Sequence, residues 1–109
     1  MPYSESLAGR VRECLATTRN IVEKKMFGGV AFLLHGNMLV GVWQTALIAR
    51  VGPEQYETAL HEAHVREFDI TGKAMKGWVL VEPEGVESDA ALRAWIERAQ
   101  RFVETLEKK

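Results

Sequence analysis

The sequence contains one cysteine, three prolines and no long run of apolar residues, and each shortage excludes a class of protein. A single cysteine, Cys14, cannot form an intrachain disulfide, so the chain is not a disulfide-stapled secreted domain. The longest segment without Lys, Arg, Asp or Glu, residues 26–49, is interrupted by polar residues, whereas a membrane-spanning helix needs about 20 mostly apolar residues. The first residues lack the basic and apolar pattern of a signal peptide. We therefore expect a cytoplasmic protein without a membrane partner.

The chain also lacks an excess of charge of either sign. It has 14 Lys and Arg residues against 15 Asp and Glu residues. A general nucleic-acid-binding protein usually presents a strongly basic face, which this balance does not favour. With 109 residues, of which 47% are apolar, the chain is long enough for one domain with its own core. We predict a single domain over residues 1–109.

Apolar periodicity predicts a helix near each end of the chain. Residues 4–18 place apolar side chains at helical spacing behind Ser4, whose hydroxyl suits an N-cap. Residues 88–107 carry the most continuous apolar stripe in the sequence, behind Ser88 or Asp89 as the N-cap.

Between these helices the sequence predicts an antiparallel meander. Three apolar runs, residues 29–34, 38–43 and 46–51, are separated by short turn segments at Gly36-Asn37 and Gln44-Thr45. Links this short require antiparallel pairing, because parallel strands need long crossover connections.

Four more segments complete the expected order of elements. We predict short strands at residues 21–25 and 77–81, a helix beginning at Gly52-Pro53-Glu54, and a short strand or irregular segment at residues 65–70. This order predicts an α+β fold of two layers, in which helices cover one face of a central antiparallel meander sheet.

Two short segments combine lysines with methionine, an aromatic residue and glycine at the start of an apolar strand. We call them the first lysine–glycine segment, residues 24–29, and the second lysine–glycine segment, residues 71–78. Glycines allow close backbone approach, and successive N–H groups can form an anion-binding concavity. We predict a partner-binding surface formed by Lys24, Lys25, Met26, Phe27, Gly28, Gly29, Lys73, Met75, Lys76, Gly77 and Trp78. The alternative is structural: core aromatics, bulge glycines and lysines that protect a sheet edge.

The two segments, with Gly36-Asn37-Met38 and Arg50-Val51-Gly52 between them, resemble the N-terminal domain of the TfoX/Sxy family. These are bacterial proteins linked to natural competence. The similar blocks occur in the same order and span essentially the whole chain. The resemblance implies a two-layer α+β domain with one antiparallel sheet. Full-length members also carry a C-terminal domain of helical, DNA-binding-like character. This sequence ends at Lys109, just after its last predicted helix, so we expect a stand-alone N-terminal domain. The resemblance supplies no catalytic residues.

The residue types that carry chemistry are scattered. His61 and His64 are three residues apart and His35 lies at a predicted hairpin tip, whereas a catalytic zinc site needs three protein ligands. Cys14 falls on the apolar stripe of the first helix, where a small buried side chain is expected. Arg50, on an apolar strand, either ends a solvent-facing side, which we favour, or forms a partner-binding pair. We expect no catalytic residues, no metal and no cofactor.

Two classes of function fit these observations. The first is a non-enzymatic regulatory or adaptor domain that binds an unidentified protein, for which the resemblance implies a partner related to transcription. The second is a nucleic-acid-binding or phosphate-binding module that uses the lysine–glycine segments, whose binding would weaken steeply with salt. An enzyme ranks last, because no nucleophile–base pair is visible. A homodimer is compatible with either class.

Overall fold

The computed structural model describes residues 3–70 and 72–109. Along the chain, the elements are α1 Glu5–Cys14, β1 Ile21–Met26, β2 Gly29–Leu34, β3 Asn37–Trp43, β4 Ala46–Arg50, α2 Pro53–Leu60, β5 Val65–Glu67, β6 Trp78–Val81, a 3-10 helix Pro83–Val86, and α3 Asp89–Val103. Ser4 and Ser88 are the N-caps of α1 and α3, and their hydroxyl oxygens accept from the backbone N–H groups of Leu7 and Ala91.

The strands form one antiparallel sheet in the order β1-β2-β3-β4-β6-β5. The first four strands pair with their neighbours in sequence, and β6 then adds to β4 before β5 closes the far edge. The predicted α+β class is therefore confirmed, with the meander of β2, β3 and β4 at the centre of the sheet. The edges are β1 and the three-residue strand β5.

Alternation along the strands divides the apolar residues between two faces of the sheet. On β4, Leu47 and Ala49 point into a large core shared with all three helices, while Ala46 and Ile48 point to the opposite face. We call these faces the helix side and the open side. The helix-side core includes Leu7, Val11, Phe32, Val42, Tyr56, Leu92, Trp95 and Ile96. The open side carries a smaller cluster, described below.

The turns of the meander differ from expectation at one point. The residues between β2 and β3 are His35 and Gly36, with φ angles of 51° and 83°, so Asn37 begins β3 and does not belong to the turn. Positive φ at both central residues matches the right-handed twist of the flanking strands in a two-residue hairpin. Phe27 and Gly28 repeat this geometry between β1 and β2, with φ angles of 44° and 77°.

Both long helices end earlier than their apolar periodicity predicts. The first ends at Cys14, not residue 18, and α3 ends at Val103, not residue 107. After Val103 the hydrogen bonds change to the 3-10 type: the N–H groups of Thr105 and Leu106 bond to the carbonyls three residues before them.

Candidate functional site

The first lysine–glycine segment lies on the edge strand β1 and the hairpin that follows it. Lys24 and Lys25 are exposed on β1, and Met26 is half-buried at its end. Gly29 is buried where β2 meets β3, and a Cβ atom there would lie 2.1 Å from the carbonyl oxygen of Val42. Gly29 therefore permits a close strand approach that no other residue allows without a shift of the backbone.

The second lysine–glycine segment forms most of the connection from β5 to β6. Thr71 lies outside the described residues. Lys73 and Lys76 are exposed, and Met75 is 37% exposed, although its N–H donates to the carbonyl of Phe68. Gly77 is buried with φ of 95°, and its carbonyl accepts from the N–H groups of Val51 and Gly52. This glycine therefore fixes the connection to the end of β4.

The two segments meet through aromatic rings and not through their lysines. The ring of Phe27 makes an edge contact with Phe68 at a centroid distance of 6.1 Å, and Phe68 lies 6.0 Å from the Trp78 ring. In contrast, β1 is four strand positions from β6, roughly 19 Å at about 4.8 Å per strand. Lys24 therefore lies at a different edge of the open side from the strand that follows Lys76. Lys25 pairs with Val30 of the helix-side core, so it faces the other side of the sheet.

These rings belong to an apolar cluster on the open side of the sheet, which we call the open-side cluster. Its members are Ala46, Ile48, Phe68 and Leu80, with Phe27, Met38, Trp43, Ile70 and Trp78 partly buried against them. Among the described residues, none of its members lies on a helix. Sequence reasoning missed Phe68, the centre of this cluster, because it lies on an irregular segment where periodicity gives no signal.

Arg50 was also misjudged from the sequence. Its side chain is half-buried, with the guanidinium carbon 4.8 Å from the centre of the Trp78 ring and 5.7 Å from that of Phe102. Burial lowers the pKa of this guanidinium below its usual value. The side chain is therefore more buried than the predicted end of a solvent-facing side. The available signal was the combination of an arginine on an apolar strand with Gly52 two residues later, which makes room for Phe102.

The other candidate residues, the histidines and Cys14, are not grouped into a metal site in the described part of the chain. Among residues 3–70 and 72–109, no three His, Cys, Asp or Glu side chains are grouped to hold a metal ion. His61 is exposed, with Nδ1 2.8 Å from the carbonyl oxygen of Glu57, and Cys14 is half-buried against the helix-side core. Within the same residues, none of the helices has the length and apolar character needed to cross a membrane.

Comparison with known proteins gives one match. The search of curated proteins and the search of solved structures both returned no match. A family model described as the TfoX N-terminal domain matches residues 13–103, which include both lysine–glycine segments and all six strands described above. Because this match covers most of the sequence, the chain belongs to the TfoX N-terminal domain family.

Proposed function

We propose that this chain is a non-enzymatic regulatory or adaptor domain that acts by binding a protein partner through the open side of its sheet. Membership of the TfoX N-terminal domain family supports a domain similar to those of competence regulators. That family is of a regulatory type, and competence regulation is a transcriptional process, so the partner proposed is a protein related to transcription.

The observation that carries the proposal is the exposure of Met75, whose backbone N–H bonds to the carbonyl of Phe68 in the open-side cluster. Met75 exposes 37% of its surface beside Lys73 and Lys76, both of which are exposed. Protein interfaces are enriched in methionine and are bordered by polar residues. Methionine is flexible and polarisable, which suits it to such contacts.

The first lysine–glycine segment extends this surface toward the β1 edge. Phe27 reaches the cluster through Phe68, and Lys24 is exposed on the open side of β1. Lys25 faces the helix side and lies outside the proposed surface. The proposed surface thus has an apolar centre and lysines at two separate margins. This distribution favours an acidic or mixed protein face over a nucleic-acid backbone, because a nucleic acid would need a continuous basic stripe.

The proposal is tested by capture of partners from extracts of the source cell with wild-type and variant chains. We expect a double variant, Lys73→Glu with Met75→Ala, to lose a partner that the wild-type chain retains. Lys108→Glu is the matched control, because it reverses an exposed lysine away from the open side. All three chains should unfold within about 0.5 kcal/mol of one another, as is usual for surface substitutions.

Two results would count against this function. Equal capture by the double variant and the wild-type chain would remove the open side from the interaction. Binding to duplex DNA that weakens steeply between low and physiological salt, and that Lys24→Glu reduces, would favour the nucleic-acid alternative.

A further inference from the structure

A small cleft lies where the end of β4 meets the connection before β6. Its volume is about 110 Å³. Since one water occupies about 30 Å³ of liquid, the cleft has room for a group the size of a single phosphate. The residues that line it include Arg50, Gly52, Lys76, Gly77, Trp78 and Phe102.

The charge of Arg50 is not neutralised within the described residues. Four other arginines form ion pairs with carboxylates: Arg10, Arg12, Arg66 and Arg98. Arg50 has no such pair among residues 3–70 and 72–109, and its one hydrogen bond, to the Met38 carbonyl, is long at 3.4 Å. A half-buried guanidinium without a carboxylate has lost hydration without gaining a counter-charge, so a bound anion would be favourable there.

Two glycines allow the walls of the cleft to approach each other closely beside Arg50. Gly52 and Gly77 have φ angles of 90° and 95°, and a Cβ atom on Gly52 would lie 2.4 Å from the Phe102 ring. Gly52 is also the N-cap of α2, and it provides no capping side chain. The positive end of that helix therefore adds to the positive potential that Arg50 and Lys76 create.

A second and larger cavity, of about 550 Å³, adjoins the cleft across Pro53 and Phe102. Val51 and Phe102 give it apolar walls, and Arg101 contributes a further cation. Glu54 is the one carboxylate among the residues that line either cavity. A ligand with an anionic group and an apolar organic group could therefore place the anionic group in the cleft and the organic group in the larger cavity.

We propose that the cleft binds the phosphate of a phosphate monoester, and that the organic group of this ligand lies in the larger cavity. Two side-chain cations and a helix start favour a dianion over a carboxylate. The planar guanidinium of Arg50 can bond to two phosphate oxygens, and its central carbon lies over the rings of Trp78 and Phe102. The main contact of this site is Arg50, so the phosphate proposal does not depend on whether the open side binds a protein.

Phenyl phosphate is the probe for this site, and amide and indole NMR shifts are the readout. We expect saturable shifts at Gly52, Gly77 and the Trp78 indole at millimolar concentrations. Arg50→Gln should weaken binding on the order of tenfold or more, because it removes the charge-assisted hydrogen bonds from the guanidinium to the phosphate. Arg93→Gln is the matched control, because Arg93 is exposed and lines neither cavity; it should leave the affinity unchanged.

Further arms keep the test decisive. Lys76→Gln changes an exposed residue and so preserves the fold, and it should weaken binding several-fold even if Arg50→Gln does not fold. Inorganic phosphate and benzoate should both bind more weakly than phenyl phosphate. The proposal is overturned if phenyl phosphate shifts none of these resonances, if both variants bind like the wild-type chain, or if benzoate binds as tightly. The double variant Lys73→Glu with Met75→Ala, which tests partner capture, leaves Arg50 and Lys76 unchanged. The protein-binding proposal and the phosphate proposal can therefore fail separately.

Discussion

Substitution of Gly29 by alanine distinguishes a structural from a functional role for the first lysine–glycine segment. The new methyl carbon would lie 2.1 Å from the carbonyl oxygen of Val42 and 3.1 Å from the ring of Phe27. The first contact is with the backbone of β3, so it cannot be relieved by rotation of a side chain. Strands β2 and β3 would have to separate locally, next to the paired residues Val30 and Val42.

The expected cost follows from this geometry. Inserting a methyl group into a packed site typically costs about 1–3 kcal/mol, and a clash with fixed backbone belongs at the upper end of that range. We therefore expect Gly29→Ala to lower the free energy of unfolding by about 3 kcal/mol. For a small domain with a total stability of about 5–15 kcal/mol, such a loss is large.

Two other glycines provide matched controls for the same substitution. Gly9 lies within α1 and Gly28 lies in the β1–β2 turn, and a Cβ atom on either would meet nothing within 4 Å. Gly9→Ala should stabilise the domain by about 0.5–1 kcal/mol, because alanine is the better helix former. Gly28 has φ of 77°, so Gly28→Ala should destabilise by about 1–2 kcal/mol through backbone strain alone.

Urea denaturation of the four chains measures the order of stability directly. We expect Gly9→Ala above the wild-type chain, then Gly28→Ala, and Gly29→Ala lowest. If Gly29→Ala unfolded at or above the midpoint of Gly28→Ala, the close approach of β2 and β3 would not determine the residue at this position. A Gly29→Ala chain of normal stability that failed only in partner capture would assign the glycine to binding.

Two further predictions concern the chain terminus and one ion pair. Asn37 is 4% exposed, and its side-chain amide donates a hydrogen bond of 2.8 Å to the Glu107 carbonyl. Asn37→Ala should therefore lower the free energy of unfolding by about 1–3 kcal/mol in urea denaturation. It should also speed hydrogen exchange at the backbone amide of Lys109, which bonds to the carbonyl of His35. Arg12 hydrogen-bonds Glu23 and holds the pKa of that carboxyl below its usual value, so the pair stabilises the fold above the ordinary carboxyl pKa and loses this effect as the pH falls through the lowered pKa. Both side chains are partly exposed, so the effect is small. Arg12→Ala should be slightly less stable than the wild-type chain at neutral pH and equal to it in acid. An equal difference at both pH values would refute the pairing.

The meander was predictable because its signals are local. Apolar runs of strand length separated by two-residue turns permit only antiparallel pairing, and β2 begins and ends at the predicted residues. The position of the second turn was less accessible, because both His35-Gly36 and Gly36-Asn37 offer residues that tolerate positive φ. The structure places Asn37 in the strand, where its buried amide bonds to Glu107. That partner is 70 residues away in sequence, so no local pattern indicates it.

The candidate sites depended on contacts that sequence patterns do not encode. Arg50 was expected at a solvent-facing position because a charged residue on a strand is usually exposed. It is instead half-buried, because Trp78 comes from β6 and Phe102 from α3, and both reach the end of β4. Phe68 joins the aromatic residues of the two lysine–glycine segments from an irregular connection. These side-chain contacts join residues that are distant in sequence. They depend on the order of the strands in the sheet, which local sequence patterns do not give.

The two lysine–glycine segments share a composition but their glycines have different structural tasks. Gly28 turns the β1–β2 hairpin and Gly29 allows β3 to approach, whereas Gly77 holds the end of β4 through its carbonyl. These tasks explain the glycines without any ligand. Lys24 and Lys25 lie on the edge strand β1, where lysines hinder pairing with other chains. These tasks do not explain the exposure of Met75, or the charge of Arg50, which has no carboxylate partner within residues 3–70 and 72–109. Binding is therefore better sought in the side chains that the glycines position than in the glycines themselves.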